Sequence, residues 1–85
     1  MSNNTPILNR KIKLIWDFRG PEAIEIAKHH CIHLEEFSKK ENLTHYEIEA
    51  NEISEMYSIA FITVNENDMI IYRDALKPHR GEVAR

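Results

Sequence analysis

The chain has 85 residues, of which 42% are hydrophobic and 29% are charged, and its formal net charge is −3. This size and composition fit one globular domain with a thin core. A nucleic-acid-binding domain would carry a basic stripe, which is absent here. The single cysteine excludes an internal disulfide.

We expect a cytoplasmic protein that does not enter a membrane. The N-terminus lacks the pattern of a signal peptide, and no apolar run approaches the ~20 residues that a membrane span needs. The sequence predicts one domain over residues 1–85, with a loose N-terminal arm at 1–9, a folded core at 10–77 and a polar tail at 78–85.

The first half of the chain predicts a strand followed by a long helix. In Lys11–Phe18, apolar residues alternate with mostly polar ones, which is typical of a strand with one buried face. A Gly-Pro pair then ends the strand, and proline suits the first position of a helix. A helix is predicted over Pro21–Glu41, because its apolar residues have helical spacing, with glutamates near its start and lysines near its end.

The second half predicts a hairpin and a second helix. The alternation returns from His45, and Met56–Val64 is apolar on both faces, as in a central strand. The polar cluster Asn65–Asp68 is a typical helix start. It begins a predicted helix over Glu66–Leu76, which Pro78 ends.

These elements predict an α+β two-layer sandwich in the order β-α-β-β-α. This is the split β-α-β, or ferredoxin-like, arrangement without its last strand. We expect a three-stranded antiparallel sheet with strand order 1-3-2 and two helices on one face. The strand Lys11–Phe18 would then lie at an edge.

Several segments within residues 11–80 carry a family resemblance: the strand KLIWDF, the long helix after Gly20-Pro21, the strand SIAFITV, the helix start NENDM and the helix end ALKPH. Together they resemble small bacterial ferredoxin-like domains of the dimeric α+β barrel type. The resemblance implies two sheets paired across a dimer, and functions that range over monooxygenases and ligand binders. The chain departs from this pattern because a clear fourth strand is missing.

Two histidines are candidate metal ligands. His29 and His33 lie four residues apart, on one face of the predicted helix, and imidazole is a ligand of Zn²⁺, Ni²⁺ and Cu²⁺. A strong site takes three or four ligands from more than one element. We therefore interpret the pair as a polar helix shoulder and expect no tight metal site and no cofactor, with transition-metal binding as a minor alternative.

A second candidate site surrounds His30, which falls on the buried stripe of the predicted helix. A buried imidazole needs a hydrogen-bond partner, such as a backbone carbonyl or Tyr57. The alternative is a small-molecule pocket in which His30 is joined by Trp16, Tyr57 and His33. Arg80, in the predicted tail, is a candidate anion ligand or a solvated charge.

Two classes of function remain open. The first is a homo-oligomeric binding or structural module. The second is a small ligand-binding protein or enzyme of the dimeric α+β barrel type with a pocket near His30. We favour the first, because no base is paired with a nucleophile. A homodimer is expected, because the core is thin, Lys11–Phe18 offers an open edge and the far sheet face exposes Ile15.

Overall fold

The structure, a computed structural model, describes residues 10–84. Its elements, in chain order, are β1 (Lys11–Arg19), α1 (Ala23–Lys40), β2 (Glu47–Ser54), β3 (Tyr57–Asn65), α2 (Glu66–Leu76) and β4 (Arg80–Ala84). Both predicted helices are confirmed. The arm expected at 1–9 lies outside the described residues. Within residues 10–84, no helix is long and apolar enough to cross a membrane.

The prediction of a three-stranded sheet in the order 1-3-2 is wrong. Within residues 10–84 the sheet has four strands in the order β2-β3-β1-β4, and every neighbouring pair is antiparallel. The fourth strand lies in the predicted polar tail. It pairs with β1 from Arg80 opposite Ile15 to Ala84 opposite Lys11, and so it completes the split β-α-β arrangement.

The added strand changes the position of β1 in the sheet. β1 is internal, and the two edges are β2 and β4. The sequence signal of β4 is weak, because its five residues, RGEVA, are mostly exposed. Backbone pairing with β1 fixes the position of β4, rather than burial of its side chains. The prediction that β3 is a central strand is confirmed, since it lies between β2 and β1.

Both helices pack on one face of the sheet, and the main core lies between the two layers. Alternate residues of β1 and β3 point toward the helices, where they meet large side chains from both helices. The buried members of this core are Ile12, Leu14, Trp16, Leu34, Ile62, Val64 and Tyr72. Burial of these side chains supplies most of the stabilisation.

A buried group of hydrogen bonds, the Tyr72–Ser38 cluster, ties the two helices together. The α1 helix ends in a Schellman motif, in which Asn42 has a φ of 58° and the Leu43 N–H donates to the Ser38 carbonyl at 2.9 Å. This turn brings the Thr44 carbonyl to the Tyr72 hydroxyl, which donates to it at 3.0 Å. Ser38 Oγ lies 3.0 Å from the same hydroxyl and donates to the Leu43 carbonyl at 3.0 Å.

Candidate functional site

The sheet separates the residues that the sequence groups into one ligand pocket. Trp16 points toward the helices and is buried in the main core. Tyr57 lies opposite Arg19 in the register of β1 and β3, and neighbouring residues of a strand point to opposite faces. Tyr57 is therefore on the far face, away from Trp16. His33 is exposed on α1, and so the structure does not bring the four predicted ligand residues together.

His30 packs between two aromatic residues of β1. Its ring centroid is 4.7 Å from that of Trp16 and 5.6 Å from that of Phe18. Among the described residues, its buried Nε2 atom has no hydrogen-bond partner. Burial, with smaller contributions from the charges of His33 and His79, lowers the pKa of His30. The neutral imidazole is thus favoured at this position.

The two candidate metal ligands do contact each other. The Nε2 atoms of His29 and His33 are 3.0 Å apart, and His33 Nδ1 is 3.5 Å from Glu36 Oε1. Residues 10–84 contain no group of three or more side chains arranged to hold a metal ion. The pair therefore offers two exposed ligands on one helix.

A polar cluster centred on Asp17, the Asp17 cluster, lies on the far face of the sheet. The Asp17 carboxylate accepts hydrogen bonds from the Tyr57 hydroxyl at 2.5 Å and from Arg80 Nε and Nη2 at 3.2 and 3.1 Å. The Asp17 backbone N–H donates to Nδ1 of His79 at 2.8 Å. Arg19 lies 4.2 Å over the Tyr57 ring. Sequence reasoning missed this grouping, because it depends on β4.

The hydrogen bonds of the Asp17 cluster favour the ionised carboxylate and the protonated phenol. Arg80 and Tyr57 hold the pKa of Asp17 below its usual range, since each donates to the ionised carboxylate. The same carboxylate raises the pKa of Tyr57, which keeps the phenol protonated. Asp17 and Tyr57 thus form a hydrogen-bonded pair, and Arg80 binds the same carboxylate.

The far face of the sheet is covered by its own polar side chains. Ile15, Ile59 and Phe61 form a small apolar group there, and Ile15 is only 2% exposed. Lys13 Nζ lies 4.1 Å above the Phe61 ring, and long charged side chains of this kind bury their stems on apolar surface. The face therefore differs from the exposed apolar sheet that was expected to drive dimerisation.

A groove separates α2 from β4, and we call it the α2–β4 groove. Its volume is about 350 Å³. Apolar and charged side chains line it in equal number. The apolar members are Ile12, Leu14, Met69, Pro78 and Val83; the charged members include Arg10, Glu66 and Arg73. Arg10 is already paired with Glu66 through two hydrogen bonds of 3.0 and 2.8 Å.

A second cavity, of about 500 Å³, lies at the end of the far face near Tyr46. Lys11 and Lys13 line it together with Glu47 and Glu82, so positive and negative charges balance. Lys11 Nζ sits 4.3 Å over the Tyr46 ring. Neither of these two cavities is lined by His30 or Tyr57.

Comparison with protein families, curated proteins and solved structures finds no match for this chain.

Proposed function

We propose that this chain is a homodimeric binding module that performs no catalysis of its own. The observation that carries the proposal is the outer side of β4, with which no strand pairs among residues 10–84. As an edge strand, β4 directs half of its backbone N–H and C=O groups away from β1. Val83 is 45% exposed, and α2 packs against β1 and β3, leaving the α2–β4 groove open.

The titratable groups best placed to take part in a reaction support binding rather than catalysis. The ionised Asp17 carboxylate is engaged by Tyr57 and Arg80 through hydrogen bonds. No nucleophilic side chain hydrogen-bonds to the buried Nε2 of His30 among the described residues. A nucleophilic mechanism requires an activated nucleophile beside a base, and the described residues do not place such a pair together.

Sedimentation equilibrium tests the proposal. A chain of 10.0 kDa should sediment at twice this mass at micromolar concentration and dissociate on dilution. A monomer mass throughout the micromolar range would refute the homodimer.

A second candidate function is small-molecule binding at His30, favoured by one observation. Its Nε2 atom is buried and unpartnered among the described residues, between the rings of Trp16 and Phe18. A phenol that reached this atom would donate a hydrogen bond to it. Titration with phenol, followed by NMR, should then shift the His30 ring signals. The absence of a shift at millimolar phenol would remove this candidate.

A further inference from the structure

We infer that β4 pairs with the β4 strand of a second copy, antiparallel and centred on Gly81, so that each Arg80 faces the partner's Glu82. This inference rests on the proposed homodimer and names its interface. The two copies would form one continuous eight-stranded sheet about a twofold axis, the commonest symmetry for a self-contact.

The charge pattern of β4 is self-complementary. Arg80 and Glu82 are two residues apart and thus point to the same face of the strand, where Arg80 Nη1 lies 3.4 Å from Glu82 Oε2. In an antiparallel twofold pair centred on Gly81, each arginine is directly opposite a glutamate. Cross-strand pairs of opposite charge stabilise a sheet, and this register contains two of them.

Neighbouring registers lack this match. Centring the pair on Glu82 would place the two glutamates opposite each other, and centring it on Arg80 would do the same for the two arginines. Like charges directly opposite destabilise a sheet. The charges therefore select the register centred on Gly81.

The other edge of the sheet is unsuited to a second copy. β2 has the sequence EIEANEIS, with three glutamates and no lysine or arginine. Because β2 has no basic residue, no register of self-pairing would place a positive charge opposite a glutamate. Charged edge strands of this kind are a common means of preventing sheet-to-sheet association.

The side chains at β4 leave room for a partner strand. Gly81 has no side chain at the centre of the contact. Arg80 donates from Nε and Nη2 to Asp17, from Nη2 to the Tyr57 hydroxyl and from Nη1 to its own Glu82. A guanidinium has five N–H donors, so one Nη1 donor remains for the partner's Glu82. Val83, which is half exposed, would be covered by the partner strand.

Cysteine substitution tests the register. In a Cys31→Ala background, Gly81→Cys should form a disulfide between copies under mild oxidation, because paired Cα atoms on the axis would be about 4.5–5.5 Å apart. The new Cβ would meet Leu14 Cδ2 at 3.4 Å, a contact that the end of a flexible side chain tolerates. Glu82→Cys is the matched control: its Cα atoms would be roughly 8 Å apart, which is too far for a disulfide.

Charge reversal provides an independent test in the original background. Glu82→Arg should weaken dimerisation about tenfold, because two attractive pairs become repulsive. Glu49→Arg makes the same change on β2 and should leave dimerisation unchanged. Both variants should keep the far-UV circular dichroism of the parent chain.

The outcomes separate this inference from the proposed function. A dimer that crosslinks at Glu82→Cys but not at Gly81→Cys has another register. A dimer that responds equally to Glu49→Arg and Glu82→Arg has another interface. Either result overturns the inference and leaves the homodimer intact, whereas a monomer mass in sedimentation overturns both. If Gly81→Cys fails to fold, the comparison of Glu82→Arg with Glu49→Arg decides the matter.

Discussion

Tyr72 and Ser58 both have buried hydroxyl groups, but only that of Tyr72 is hydrogen-bonded among the described residues. Removing the Tyr72 hydroxyl should therefore lower the free energy of unfolding, and removing the Ser58 hydroxyl should raise it. The Tyr72 hydroxyl bonds to the Thr44 carbonyl and to Ser38 Oγ, both at 3.0 Å, and Tyr72 is 0% exposed. The Ser58 hydroxyl is equally buried, at 1% residue exposure, but has no partner among the described residues.

For Tyr72→Phe we expect a loss of about 1–2 kcal/mol in the free energy of unfolding. A net hydrogen bond contributes ~1 kcal/mol, and a buried group left unpaired costs ~1–3 kcal/mol. The loss should fall toward the lower part of that range, because Thr44 is exposed and its carbonyl can bind water, while Ser38 keeps the Leu43 carbonyl as its acceptor. The ring contact with Phe37, at 5.6 Å between centroids, is retained.

For Ser58→Ala we expect a gain of about 0.5–1.5 kcal/mol. The substitution removes the desolvation cost of an unpaired hydroxyl, while the small void it leaves reduces the gain. Tyr46→Phe is a control, because its hydroxyl donates to Asn65 in an exposed position. Its effect should stay within about 0.5 kcal/mol.

Urea unfolding, followed by fluorescence of the single tryptophan and by circular dichroism, measures all three variants. One protein concentration must be used throughout, because dimerisation makes apparent stability depend on concentration. The slope of the free energy of unfolding against urea concentration should be unchanged, which indicates that only stability differs. A neutral Tyr72→Phe, or a Ser58→Ala variant as destabilised as Tyr72→Phe, would refute the assignment of these hydrogen bonds.

Three further predictions concern titratable groups. Burial lowers the pKa of His30, so the unfolded chain binds the proton more readily and stability falls as the pH drops below about 6.5; urea titrations of His30→Phe should show a smaller loss. Arg80 and Tyr57 lower the pKa of Asp17 from 3.8, so its contribution is present above that value and is lost as the pH falls through the folded-state pKa. Acid titration of Asp17→Asn by circular dichroism should lack this component. Zinc calorimetry should give an affinity weaker than micromolar, abolished by His33→Ala, since the site offers two ligands. A sub-micromolar affinity that is lost in His33→Ala would contradict this expectation.

Elements with a strong hydrophobic period were predictable from the sequence. β1 and the two helices place apolar residues at the spacing of their structures, and these residues form the main core. β4 has one large apolar residue, Val83, and a glycine. Its position is decided by the open backbone groups of β1, which a local pattern does not reveal.

The candidate site was less predictable, because it depends on which alternate residues of β3 point to each face of the sheet. β3 is apolar along both faces, so its sequence does not indicate which face meets the helices. The register with β1 places Ala60 opposite Trp16 and Tyr57 opposite Arg19. This arrangement places Tyr57 beside Asp17 and away from Trp16. Arg80 reaches the same place through β4, the strand that the sequence did not predict.

The position of β1 has a consequence for synthesis on the ribosome. Lys11 pairs with Asn65 on one side and with Ala84 on the other, so both neighbours of β1 are translated long after it. Nascent β1 therefore stays unpaired at both edges until β3 and β4 are made, and pairings between strands far apart in sequence form slowly. Lys11, Lys13 and Asp17 interrupt its apolar residues, and charges in this position act as gatekeepers against aggregation. The same side chains that cover the finished sheet would thus protect the chain before the sheet exists.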